Sequence, residues 1–216
     1  MSEPLERTSG NLVWIDLEFT DLDPSRGAIM QAAMIVTRPD LTPIPPPGVP
    51  PEEGGLQFSI SLSEEQIATA SDWVKENQKE HIVECRGPNA LPVEQVEELF
   101  IAYLLVCSEI PDSVRSRPLL SGNSIHGDRN YLARYMPKLI ELLSYRLLDV
   151  SGFKELASRW APKLEFNKNP ETIRRWYPAD VEVKGAVHDA LFDIKGSIAE
   201  LSFYREQMLV PAARGS

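Results

Sequence analysis

Apolar positions along the chain follow two periods, and the switch between them predicts the order of elements. Residues 12–17 are apolar on both faces except at Asp16, the pattern of a central strand buried on two sides. Pro24 and Gly27 mark a turn over 21–27. A second apolar run, AIMQAAMIVT over 28–37, predicts a second central strand. Residues 56–61 predict another. The period then changes to that of helices over 63–79 and 92–108. In the second of these, Val93, Val96, Leu99, Phe100, Tyr103, Leu104 and Cys107 form one stripe. A short strand over 118–122 leads into a helix over 128–143 that must break at Pro137. Another short strand over 146–150 precedes a helix over 152–160, with Ser151 as its N-cap. The last helix spans 188–208, with Ala190, Leu191, Ile194, Ile198, Leu201 and Tyr204 facing the core. Strands followed by strands mixed with helices predict an α/β domain built on a mixed sheet.

Two stretches lack periodicity. PDLTPIPPPGVPPEEGG, over 39–55, reads as an exposed insertion of polyproline character, and a proline-recognising partner is one possible use for it. Residues 161–184 contain Pro162, Pro170 and Pro178 and read as an irregular insertion. The organisation expected is one domain over 11–209 with flexible ends at 1–10 and 210–216.

The 216 residues carry a formal net charge of −10. That balance argues against electrostatic capture of long nucleic acid, which needs a basic track, but it leaves room for a short anionic substrate. Cys85 and Cys107 have no metal-binding spacing and read as reduced structural thiols. MSEPLERTSG contains two acids and no apolar stretch, so it reads neither as a secretory signal nor as a transit peptide. No apolar run reaches the roughly 20 residues of a membrane span. Cytoplasm, nucleus and mitochondrial matrix are the compartments expected.

The candidate chemistry begins in the first strand. Side chains at i and i+2 share one side of a strand about 7 Å apart, so Asp16 and Glu18 repel unless a cation lies between them. The plain alternative is that they open a turn at the strand's end. Asp128 follows GNSIHG at a strand-to-helix junction, and Asp193 lies in the first turns of the last helix, five residues after His188. That spacing puts His188 at the helix start or in the loop before it. Four acids and a histidine are the inventory for hydrolysis of a phosphodiester with two bound metal ions about 4 Å apart, with His188 orienting or deprotonating the water. Oxygen ligation favours Mg²⁺ or Mn²⁺. Singly, each has a bland reading: Asp128 as a helix cap, Asp193 paired with Lys195, His188 as a helix-entry residue.

WIDLEFTDLD, SGNSIHGDRNYLARYMPKL and HDALFDIKGSIAELSFYRE, together with YRLLDVS, resemble the motifs of oligoribonucleases in the DEDDh 3′–5′ exonuclease superfamily. The resemblance covers nearly the whole chain. It implies a ribonuclease H-like mixed β-sheet flanked by α-helices, a homodimer, and removal of nucleotides from the 3′ ends of short single-stranded RNA, dinucleotides above all. It also implies that Asp16, Glu18, Asp128 and Asp193 hold the two metal ions and that His188 is the general base. Leu22 would wedge against the bases and Trp73 would line the base pocket. Ser124, Arg146 and Ser151 would cap the terminal phosphate, and Tyr145 would reach the site of the second subunit. Trp73 and Leu22 also have plain packing readings, and Arg146 a surface ion pair. Asp21, Gln31 and VKENQKEHIVECRG depart from the family pattern. A DEDDh enzyme trimming longer RNA or DNA ends is an alternative, and a non-catalytic binding or regulatory protein on the same scaffold is another. The presence of all five catalytic positions speaks against the last.

Overall fold

Strand β1, Leu12–Phe19, is the centre of the sheet. A computed structural model describes residues 7–50, 53–180, 183, 185 and 188–209. The chain ends expected to be flexible therefore fall outside the described residues at 1–6 and 210–216. Strand β2, Ile29–Thr37, pairs antiparallel with β1 and is buried along its whole length. Its outer edge receives β3, Pro43–Ile44, and β4, Leu56–Ser59. On the other side of β1 lie two parallel neighbours, β5 (Leu119–Gly122) and then β6 (Leu147–Asp149). The strand order is β3-β2-β1-β5-β6, with β4 also on β2. The expected mixed sheet is the one observed.

Alternation along β1 assigns its two faces. Val13, Ile15 and Leu17 point into one core with α4 (Val93–Cys107), α5 (His126–Tyr135) and α6 (Pro137–Glu141). Leu12 and Trp14 point into a second core with α7 (Val150–Trp160), α8 (Pro170–Trp176) and α9 (Ala190–Tyr204). A third cluster joins Met30 of β2 to α1 (Glu64–Ala68), α2 (Asp72–Asn77) and α3 (Lys79–Cys85). The break at Pro137 falls where expected. Both cysteines are buried free thiols, and burial pushes each up to about 11.

Several expectations need correction. β1 runs on to Phe19, so Asp16 and Glu18 lie inside the strand and not in a turn. The helix over 63–79 is two short helices broken before Ser71, whose hydroxyl accepts from Val74 N–H and starts a new cap, and a third helix follows. Ser151 is not the N-cap of α7. Asp149 is, accepting from Ser151 N–H at 3.0 Å, because the Ser151 hydroxyl is engaged with Asn123 and Ser124. The insertion over 161–184 contains α8, with Asn169 as cap and Pro170 in its first turn, where a fixed φ favours a helix. The proline-rich insertion is partly anchored. Leu41 and Ile44 are buried, β3 pairs with β2, and Arg205 donates to the Asp40 carbonyl at 2.6 Å. The last helix begins at Ala190, two residues late, and passes into a π-turn over Arg205–Leu209. Leu99 is exposed, on the flank of the α4 stripe, and Leu191 is half-buried.

Candidate active site

Asp16 and Glu18 continue the face of β1 that carries Leu12 and Trp14, so they emerge where the apolar patch under α9 ends. Asp193, in the first turn of α9, meets them there. Ligand atoms of Glu18, His188 and Asp193 all lie within 4.8 Å of one another. Asp128 arrives from α5, and its Oδ1 accepts from Leu17 N–H at 2.9 Å, which ties it to β1 between the two strand acids. Burial holds the Asp16 carboxyl well above the usual range, and repulsion from Asp128, Asp193 and Glu18 raises it further while Lys168 lowers it. Burial likewise raises Glu18, with the Gln78 hydrogen bond opposing. Asp128 is pushed up to about 7, mainly by burial. Repulsion between Asp16 and the other three acids would be relieved by a positive charge among them.

His188 stands outside the helix, as its spacing from Asp193 requires, in a left-handed backbone conformation with φ 72°. For a residue with a side chain that conformation costs about 1 kcal/mol or more, so its surroundings must hold it. Its N–H donates to Asp193 Oδ2 at 2.9 Å, and its carbonyl accepts from His81 Nε2 at 2.8 Å. Its ring meets Trp73 edge-on with centroids 5.5 Å apart. Two glutamines fix the start of α9: Gln31 Oε1 accepts from Ala190 N–H at 2.9 Å and Gln57 Oε1 from Leu191 N–H at 2.8 Å. Gln31 is thus a clamp on the helix that carries Asp193. Gln78, in the other departing segment, donates to Glu18 Oε2. Sequence reasoning missed Gln57, Gln78, His81 and Lys168 as site residues. Each acts on a partner far away in the sequence and leaves no periodic signal.

Leu22 and Trp73 flank a cavity of about 630 Å³ that also reaches Glu18, Gln78 and His188. Leu22 is 90% exposed and Trp73 51%, so neither is a packing residue. Asp21 borders the same cavity with its charge countered by Arg26 at 3.2 Å. Ser124 and Ser151 come together at the ends of β5 and β6 with hydroxyls 3.1 Å apart. Ser124 N–H donates to both Ser151 Oγ at 2.8 Å and Asp149 Oδ1 at 3.0 Å. Arg146 and Tyr145 are exposed, with the guanidinium 5.7 Å from the Tyr145 ring centroid.

A family model described as Exonuclease (RNase_T) matches residues 13–201. The oligoribonuclease of Tropheryma whipplei is 33% identical over 206 residues, covering 95% of this chain and 97% of its own. The mitochondrial oligoribonuclease of Bos taurus is 32% identical over 207 residues, covering 94% and 75%. The chain belongs to the oligoribonuclease family of 3′–5′ exoribonucleases. Among solved structures, the zinc-bound Escherichia coli exonuclease I complex with single-stranded DNA aligns with a TM-score of 0.63 at 12% identity, over 94% of this chain and 41% of that longer one. At that identity the likeness concerns the fold, which is ribonuclease H-like.

The donor set suits the divalent metal general to this family. Carboxylate oxygens are hard ligands, one imidazole stands beside them, and the repulsion among the carboxylates is relieved by a cation.

Proposed function

We propose that this oligoribonuclease hydrolyses short single-stranded RNA from the 3′ end to mononucleotides, using Mg²⁺ or Mn²⁺ held by Asp16, Glu18, Asp128 and Asp193. One observation carries the reading: Glu18, His188 and Asp193 converge within 4.8 Å, and Glu18 and His188 also line a cavity walled by Leu22 and Trp73. Bound divalent ions would supply Lewis acidity for the phosphoryl oxygen and the attacking water. His188 takes the proton of that water, its loop held still by the His81 and Asp193 hydrogen bonds. Leu22 wedges against the bases and Trp73 lines the base pocket. Ser124, Ser151 and Arg146 receive the phosphate at the other end, so affinity concentrates on an end group that a short oligomer presents. This accords with the net charge of −10, which gives long RNA nothing to follow.

The exposed Tyr145 ring beside a cavity of about 600 Å³ lined by Val114, Ile140 and Leu142 supports a homodimer in which Tyr145 reaches the neighbouring site. Mixing a Tyr145→Ala protomer with an Asp128→Ala protomer tests it: one intact site per heterodimer returns part of the activity, and heterodimers without recovery reject it. No helix of the described residues is long and apolar enough to cross a membrane. The bacterial and mitochondrial relatives support cytoplasm or mitochondrion as the compartment. The substrate class is tested by rates on two-nucleotide and twenty-nucleotide RNA with Mn²⁺. Faster turnover of the dinucleotide is expected. Equal rates would transfer the protein to the enzymes that trim longer ends, and no metal-stimulated hydrolysis of either would reject catalysis.

A further inference from the structure

Lys168 reaches the acidic cluster from outside every motif. It lies two residues before the Pro170 that opens α8, in the stretch whose sequence has no periodic signal. Its Nζ is 2.5 Å from Asp193 Oδ1, while the other oxygen of the same carboxylate holds His188 N–H. Its charge also acts on Asp16. The route it takes is kept open by a missing side chain. A Cβ at Gly196, one turn along α9, would collide with Lys168 Cε and stand 3.1 and 3.2 Å from its Cγ and Cδ. A glycine in a helix interior is unfavourable by about 1 kcal/mol relative to alanine, so this one needs a tertiary reason, and the lysine stem lying across it is one.

We propose that Lys168 is a built-in counter-cation of the active site: its ammonium neutralises Asp193 when no metal is bound and yields that place to the arriving divalent ion. The physical basis is competition. An ammonium 2.5 Å from Asp193 Oδ1 occupies the approach that a divalent ion would take to that oxygen, and like charges in a partly buried cluster repel with little screening. The long stem of a lysine, its side chain 28% exposed, permits the ammonium to swing towards solvent. The insertion over 161–184 then has a function, setting the metal concentration at which the enzyme becomes active. The inference rests on the ligand set proposed above.

The test compares Mn²⁺ binding by calorimetry and melting in EDTA and in Mn²⁺ for the wild type, Lys168→Met, Gly196→Ala and Asp16→Asn. Lys168→Met is expected to tighten the Mn²⁺ Kd by roughly tenfold. It should also lower the melting temperature by about 2–4 °C in EDTA, with the difference gone in Mn²⁺. Gly196→Ala, which displaces the stem without removing the amine, should shift the Kd in the same direction. An unchanged or weaker Kd in Lys168→Met, or melting lowered equally in EDTA and Mn²⁺, overturns the counter-cation role and leaves a structural tether. Asp16→Asn separates the two levels. If it leaves Mn²⁺ binding unaltered, the ligand set itself has failed. If it weakens binding while Lys168→Met does nothing, only the counter-cation falls.

Discussion

The acid cluster and the serine pair lie along the same edge of the sheet, yet they are prepared for their tasks in opposite ways. At the cluster, burial and repulsion raise Asp16, Glu18 and Asp128, so the site is strained until positive charge arrives. At the serine pair, the donors are already satisfied. Asp149 accepts from both Ser124 N–H and Ser151 N–H, and a terminal phosphate would have to compete with that carboxylate. One region stores electrostatic free energy that binding releases, and the other exchanges one anion partner for another. Large effects on the rate are therefore expected from the cluster and modest effects on KM from the serines.

The most severe way to break the comparison is Asp128→Asn. The amide oxygen still accepts from Leu17 N–H, so the fold survives, while kcat should fall by about 10³-fold or more. Removing a repelling acid should raise the melting temperature of the metal-free protein, and a lower one would contradict the stored repulsion. Next is pH. Because Asp128 is raised from 3.8 to about 7, the folded protein holds more protons than the unfolded chain between those values. The contribution of Asp128 to the stability of the metal-free protein should be full below about pH 4 and fall as pH rises towards 7, by up to about 4 kcal/mol. Melting across pH in EDTA and in Mn²⁺ checks this, with the loss expected only in EDTA. His188→Asn keeps a residue that tolerates the left-handed backbone while removing the base. Its kcat should drop by about 10²-fold with KM little changed. The smallest effect is Ser124→Ala, which should raise KM for a 5′-phosphorylated dinucleotide by up to about tenfold and spare kcat. A loss mainly in kcat would show the serine pair to be part of the chemistry.

Much of this was legible in the chain. β1, β2 and the amphipathic helices over 92–108 and 188–208 were readable because buried faces impose a local period, and the position of His188 followed from its spacing to Asp193. The same reading failed over 63–79 and 161–184. There the helices are short, begun by caps such as Ser71 and Asn169, and the periodic signal over five to seven residues is too weak to separate from a loop. Ser151 was misassigned because a hydroxyl that fits a cap serves equally well as a partner for Ser124, and only the neighbouring strand decides between them.

The sequence by itself determined the α/β order, the five catalytic candidates and the family, since each is encoded in local period or in a motif. Only the tertiary structure decided how that chemistry is held. Gln31 and Gln57 grip the start of α9 across 159 and 134 residues, Gln78 reaches Glu18 across 60, and Lys168 enters over Gly196. Such contacts join side chains that chain spacing does not relate. They exist because folding brings distant segments to one place, where like charges must be countered and every buried donor must find an acceptor.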